Sequence, residues 1–348
     1  ATATHDTKRG EDARLRIDVL SEMPDEWKQR LDRWSTFNRS LRREIDERWA
    51  PSANEEYFLY QALLGAWPAA WFVAPPQDPA IAQFGERFER YAIKALREAK
   101  TVSSWENPNE PYESALKVFV GGMIDLRRAS PFLADFVPFA ERVARFGMLN
   151  SLSQTVLRLT VPGVPDTYQG TEFWDLAFVD PDNRQPVDFA ARQAFVPCRE
   201  PMAGGSPPED VLGARLVNWH DGAVKLLAMN IALDCRRRRR DLFLSDSYEA
   251  LATDGSRANN VVAFRRQQGG QTAIVAAARR FVSLLGENAS GYAADAAWDD
   301  TAVLGPGLNG VWREALTDAE FSVDAGAIPA ATILGKFPAA ILLRSAET

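Results

Sequence analysis

The chain has 348 residues, 46% of them hydrophobic and 25% charged: too long for one core, and in composition an ordinary soluble globular protein. Its 40 basic and 47 acidic side chains leave a net charge of −7, which disfavours nucleic acid as a general partner. Two cysteines, Cys198 and Cys235, are too few for a disulfide framework and lie in no metal-ligand spacing, so a reducing, cytoplasmic setting is expected; the lack of a signal-like start and of any apolar run near about 18 residues points to neither secretion nor a membrane.

The opening residues, ATATHDTKRGED, read as a short strand of small residues that discharges His5, Asp6, Lys8, Arg9, Glu11 and Asp12 at its C-terminal end. Barrels of the α/β type present catalytic groups at that rim, so the opening reads as the interior of a longer protein. From Pro24 to Trp49, Trp27, Leu31, Trp34, Leu41 and Ile45 recur at threes, fours and their sums, which predicts one long amphipathic helix. Pro51 breaks it. Ser52 and Glu55 then form a capping box for a helix through EEYFLYQALLGAW. Asp78 and Pro79 start another, with Ile81, Phe84, Phe88, Tyr91 and Ala95 at helical spacing, and residues 11–147 are expected to be mostly helical.

The texture changes at LRLTVPGVPDTYQGTEFWD, which reads as a strand entering a loop rich in Asp166, Tyr168, Glu172 and Asp175. A Gly/Pro-rich linker, PMAGGSPPED, precedes a predicted helix from about Gly222 to Arg239. Five short β-like runs follow, SYEALA, NVVAFRR, TAIVAAA, VWREAL and AAILLRS, and their spacing suggests a small β-sandwich. The run of five arginines at 236–240 falls at the end of that helix, where cations complement the helix dipole, and reads as a solvated terminus rather than a nucleic-acid patch.

Two stretches, THDTKRGED and PGVPDTYQGTEFWDLAFVDPDNRQPVDF, combine the acidic, amide and aromatic groups that sugar hydroxyls and an oxocarbenium-like transition state require. THD at a strand end, followed later by PGVPDTYQGTE, resembles the ends of barrel strands seven and eight in the α-amylase superfamily of glycoside hydrolases. The fuller strings TATHDTKRGED, YAIKALREAKTVSSWENPNEPYE and PGVPDTYQGTEFWDLAFVDPDNRQPVDF, with the SYEAL and VVAFRR tail, resemble the maltooligosyl trehalose synthase family, and the likeness covers nearly the whole chain.

That resemblance implies an α+β chain made of part of a TIM (β/α)8 barrel, strands seven and eight, with a large all-α insertion and a C-terminal β-sandwich. The implied divisions are 1–10, the end of strand seven and its rim loop; 11–147, the helical insertion and a barrel helix; 148–210, strand eight, a substrate loop and the final barrel helix; and 211–348, a helix and the sandwich. It implies conversion of the reducing-end α-1,4 linkage of a maltooligosaccharide to an α,α-1,1 linkage, by intramolecular transglycosylation with retention. Of the superfamily's three acids, only the Asp after strand seven has a match here. Asp6 would be that transition-state stabiliser, with His5 beside it on the same ring. The nucleophile and the acid/base precede THD in chain order, and GGMIDLRR, with Asp125, lacks the Arg two residues before its Asp and is a decoy.

The same resemblance places Lys8, Arg9, Lys94, Lys100, Trp105, Glu106, Tyr168, Glu172, Asp182, Asn183 and Arg184 at substrate subsites. On their own, Lys8 and Arg9 read rather as part of a charged helix start and Lys94 and Lys100 as solvated helix cations, while the second-loop residues read equally as loop anchors. DPDNR is the stronger candidate in that loop, because it offers acceptors and a forked donor together. No metal, nucleotide or flavin signature occurs, so no cofactor is expected. The expected partners are a maltooligosaccharide and the N-terminal barrel portion of the same protein, with no nucleic acid and no membrane. Two other readings stay open: another enzyme of the superfamily, such as a glucanotransferase or amylase, and a non-catalytic glucan-binding protein.

Overall fold

The computed structural model describes residues 1–126, 130–195, 208–287, 292 and 297–344. The chain is α+β and divides into two compact units: His5–Ala144 with Leu176–Gln185, and Ala1–Thr4 with Arg145–Asp175 and Pro186–Thr348. Cys198, and residues 201–207 of the expected linker, lie outside the described residues.

The first unit is helical. It holds α1 (Glu11–Val19), α2 (Pro24–Asn38), a hairpin of β1 (Arg43–Ile45) and β2 (Arg48–Ala50), α3 (Ala53–Ala66), α4 (Asp78–Ala99), α5 (Glu110–Met123) and the first half of α6 (Pro131–Thr160). The local start signals act as read. Ser52 Oγ accepts from the Glu55 amide at 3.3 Å and Glu55 Oε2 accepts from the Ser52 amide at 2.7 Å, while Asn109 caps α5 by accepting from the Tyr112 amide at 3.1 Å. The predicted helix over Pro24–Trp49 instead ends at Asn38. Its buried stripe stops there: Leu41 and Ile45 are half-buried and Trp49 is exposed, and Asp46 and Glu47, at φ 47° and 60°, turn the backbone into the hairpin.

Trp34 centres the core of this unit. Its ring meets Trp27, Tyr60, Phe132, Phe136 and Phe139 edge to face at 5.4–5.7 Å, and its Nε1 donates to Asp135 Oδ2 at 2.7 Å. Arg30 and Arg33 both donate to the other Asp135 oxygen at 2.7 Å, so the buried indole hydrogen bond is backed by two cations.

The second unit contains the rest of α6, then α7 (Phe189–Phe195), α8 (Pro208–Val217), α9 (Ala223–Arg238), α10 (Arg240–Leu244) and an antiparallel β domain. Its strands are β3 (Glu249–Asp254), β4 (Val261–Gln268), β5 (Gln271–Ala278), β6 (Ala302–Leu304), β7 (Gly310–Glu314), β8 (Glu320–Val323), β9 (Ala327–Pro329) and β10 (Ala339–Arg344), with α11 (Phe281–Leu285) and α12 (Ala330–Leu334) between them. All five β-like runs become strands, in the order β8-β7-β10-β5-β4-β3-β6-β9. β3 pairs with β4 through residues 249–251 and with β6 through 252–254, so one strand serves two sheets and the array approaches a closed barrel or sandwich. Gly269 and Gly270, at φ 53° and 76°, make the two-residue β4–β5 turn that needs left-handed backbone twice.

Neither expected barrel strand forms among the described residues. Residues 1–10 pair with nothing as a strand, and LRLT continues α6 to Thr160. Leu149, Leu152, Val156 and Leu159 are all buried at spacings of three and four, so the apolar face of the preceding helix runs straight through the segment. A parallel barrel strand also needs laddered neighbours, and the residues around 161–175 have none.

Arginines 236–240 behave as a helix terminus. Arg236 donates to the carbonyls of Leu159 and Gly163 at 3.1 and 2.8 Å, and Arg237 and Arg238 pair with Asp234 at 2.7 Å. Cys235 is buried, which pushes its thiol up to about 12. No described helix is long and apolar enough to cross a membrane.

Candidate functional site

α4 organises the candidate residues of the first unit. Its stripe Arg87, Tyr91, Lys94, Glu98 follows the spacing i, i+4, i+7, i+11, one helix face, and that face receives the strap of residues 176–185. Phe178 is the strap's apolar foot: it stacks on Tyr91 and Phe88 at 4.6 and 5.6 Å and is buried. Burial pushes the Tyr91 phenol up, while Arg9, bonded to it and lying 5.2 Å over Phe58, pulls the other way.

Asp182 is the strap's polar foot. Arg87 grips it with two parallel bonds, Nε to Oδ1 at 2.6 Å and a terminal nitrogen to Oδ2 at 2.8 Å. The Phe178 amide adds a bond to Oδ2 and the Gln185 amide one to Oδ1, each at 2.8 Å. Burial alone would raise this carboxyl, but Arg87 and the two amides outweigh it and hold it below the ordinary aspartate value. A carboxylate offers about four accepting positions, and all are filled by the protein, so Asp182 has none left for a sugar hydroxyl. It anchors the loop, as one of its two sequence readings allowed.

The other DPDNR groups are disposed around that anchor. Arg184 pairs with Asp180, and Lys94 Nζ donates to the Asp180 carbonyl at 2.6 Å. Asn183 Nδ2 donates to the His5 carbonyl at 2.9 Å, and the Gly10 amide donates to the Ala177 carbonyl at 2.8 Å, so the THD segment is tied to the strap at two points. Glu98 links Lys8 at 3.4 Å and Lys94 at 3.8 Å. His5, Asp6, Lys8, Arg9, Lys94, Asp182, Asn183 and Arg184 therefore share one neighbourhood of the first unit. Within it, the His5 ring lies 3.3 Å from the Asp6 carboxylate, and the Asp6 side chain is 84% exposed.

The loop after α4 holds the remaining candidates of this unit. Lys100, at φ 55°, ends α4 in the left-handed conformation and is exposed, as are Trp105 and Glu106. Arg97 lies 4.9 Å over the Trp105 ring while forking to Glu113 at 2.8 and 2.7 Å. That fork, together with the Ser103 hydroxyl, outweighs burial and holds the Glu113 carboxyl below its ordinary value. In the second unit, Glu172 accepts from Arg192 at 2.9 Å, and the Tyr168 carbonyl accepts from the Thr171 hydroxyl at 2.8 Å.

The sequence reading missed Arg87, Glu98 and Arg97, which position the rest. The signal was present in the polar stripe of α4, three charged residues and one buried tyrosine on one face. Among the described residues no group of three or more His, Cys, Asp or Glu could hold a metal ion.

No family model matches the chain. A Mycobacterium tuberculosis protein that carries the name maltooligosyl trehalose synthase provisionally is 33% identical over 342 residues, 98% of this chain and 37% of its own length. The solved structure of maltooligosyltrehalose synthase from Arthrobacter ramosus superposes with a TM-score of 0.73 at 31% identity, covering 98% of this chain and 38% of that one. A Sulfolobus tokodaii structure described as a hypothetical maltooligosyl trehalose synthase gives 0.70 at 27% identity, covering 99% and 38%. The chain thus spans less than two-fifths of the length of the relatives it matches.

Proposed function

We propose that this chain, a homologue of maltooligosyl trehalose synthase over about 38% of the enzyme's length, supplies one wall of the active site of such an enzyme. Asp6 is the transition-state stabiliser of that wall and His5 its neighbour on the same sugar ring. The full protein converts the reducing-end α-1,4 linkage of a cytoplasmic maltooligosaccharide to an α,α-1,1 linkage, with the nucleophile and the acid/base coming from outside these 348 residues. Residues 1–10 carry the rim loop of that wall, and residues 11–147 form the helical insertion and a barrel helix.

One observation carries the reading: the Asn183 bond to the His5 carbonyl joins the two strings, THD and DPDNR, that bear the resemblance. They lie 178 residues apart in the chain and meet beside an exposed carboxylate. In the retaining mechanism one carboxylate attacks the anomeric carbon while an acid protonates the departing oxygen, and a third accepts hydrogen bonds from ring hydroxyls that strengthen as positive charge develops. Asp6 suits the third role, since its side chain is largely exposed beside His5. Asp182 does not, and its part is to hold the strap. Lys8, Arg9, Lys94, Lys100, Trp105, Glu106, Asn183 and Arg184 line substrate subsites around it; Tyr168 and Glu172 are further subsite residues.

The test is incubation of the full-length protein with maltooligosaccharides. Non-reducing products of unchanged length support the proposal. New reducing ends or redistributed chain lengths would point to another enzyme of the superfamily, and binding without turnover to a glucan-binding protein.

A further inference from the structure

We propose that Arg87 is a positioning residue for Asp6: its fork on Asp182 sets the Asp182–Arg184 turn, from which Asn183 holds the His5 carbonyl and so fixes the direction in which Asp6 leaves the backbone. The inference rests on the reading of Asp6 as the transition-state stabiliser.

The anchors that join the strap to the rest of the unit differ in what they can hold. The Gly10 amide fixes residue 177, ahead of the turn, and Lys94 holds residue 180, within it, by one bond to its carbonyl. Only the Arg87 fork grips residue 182, directly before Asn183. The turn is itself closed by the Asp182 amide donating to Val179 O and the Arg184 amide donating to Pro181 O, each at 3.1 Å, so it moves as a block with Asp182. Two parallel bonds to a planar fork fix orientation as well as distance, which a single bond cannot.

Without the fork, Asp182 keeps only two neutral donors in a half-buried setting, and its charge drives the turn outward to water. Asn183 then loses its 2.9 Å bond, and with it the hold of the turn on the His5 carbonyl. A misplacement of about 1 Å at a reacting group costs up to roughly 100-fold in rate, so a residue that never touches substrate can govern turnover this way.

The experiment is a cycle in the full-length enzyme with Arg87→Met, Asn183→Ala and Asp6→Asn, assayed for trehalosyl product. Arg87→Met is expected to lower kcat by about 10- to 100-fold with KM within about twofold, and Asn183→Ala to lower it in the same sense by about 3- to 10-fold. With Asp6 already changed to Asn, each is expected to cost less than about twofold more, because the group they orient has lost its charge. Equal losses in both backgrounds, or a lowered melting temperature with kcat preserved, would overturn the proposal. If Arg87→Met does not fold, the half-buried Asn183→Ala decides alone on the same criteria. Full turnover by Asp6→Asn would instead remove the reading of Asp6 itself, a separate outcome.

Discussion

The guanidinium of Arg266, fully buried on β4, donates at 2.6 Å to the carbonyl of Thr160, the last residue of α6. Another of its nitrogens donates to the Ser245 carbonyl at 2.6 Å, and Arg236 covers the Leu159 carbonyl. Two cations thus close the C-terminus of a 30-residue helix, where unpaired carbonyls concentrate negative charge. Arg266→Met should destabilise the protein by about 2–4 kcal/mol, since it takes the donor from the buried Thr160 carbonyl and the half-buried Ser245 carbonyl. Arg236→Met should cost about 1 kcal/mol or less, because its site is more open to water. Urea unfolding measures both, and near-equal values would contradict the assignment of Arg266 as the main cap.

Asp6→Asn in the full-length enzyme should fold and bind maltooligosaccharide but lose about two to four decades of turnover, the amide keeping shape without charge. kcat and kcat/KM should fall together. Retention of more than about a tenth of the turnover would end the role given to this carboxylate. The 348 residues alone should form no trehalosyl linkage, because retention requires two further carboxylates about 5 Å apart.

Asp182, Glu26 and Asp135 all have carboxyls held below their ordinary values by arginines that outweigh the effect of burial. A folded value below the unfolded one means that the stabilisation is complete above the ordinary carboxylate range and is lost as pH falls through the lowered folded values. Stability should therefore be flat from neutrality to about pH 5 and fall steeply below about 4. Asp182→Asn should be less stable at pH 7 and should show a shallower acid slope. An unchanged slope in urea titrations at pH 7, 5, 4 and 3 would mean that the Arg87 pair does not contribute to it.

Trp34→Phe should keep most ring contacts but lose the bond to Asp135, costing about 1–3 kcal/mol, whereas Trp34→Ala should cost about 3–5 kcal/mol through the cavity it opens among five aromatic rings. Thermal or urea unfolding orders the two, and the reverse order would contradict the core described for the first unit.

Local signals were the legible part of the fold. Ser52 with Glu55 and Asp78 with Pro79 act within one turn of chain, and the apolar runs of β4, β5 and β10 stand between turn residues. LRLT misled because Leu157 and Leu159 alternate like a strand when the segment is read alone, while the helix is visible only from Leu149 onward. The hairpin at Arg43–Ala50 misled because Leu41 and Ile45 keep helical spacing with Trp34 although both are only half-buried. The candidate residues were individually legible through resemblance. Their meeting was not, since a bond across 178 positions leaves no trace in spacing, and Asp182 could be told from a sugar ligand only by seeing its four donors.

The helical unit closes with a strap that is translated late. Residues 5–144 leave the ribosome before the next stretch, which belongs to the other unit, and only then does Leu176–Gln185 emerge. Until it does, Phe84, Phe88 and Tyr91 lack Phe178 and Arg87 lacks its carboxylate, so the nascent helices present an open aromatic trough beside a bare cation. N-terminal segments ordinarily settle first during synthesis. Here completion of the earlier-made unit waits on a later-made piece, and the surface that will carry the candidate site is the last of that unit to be finished.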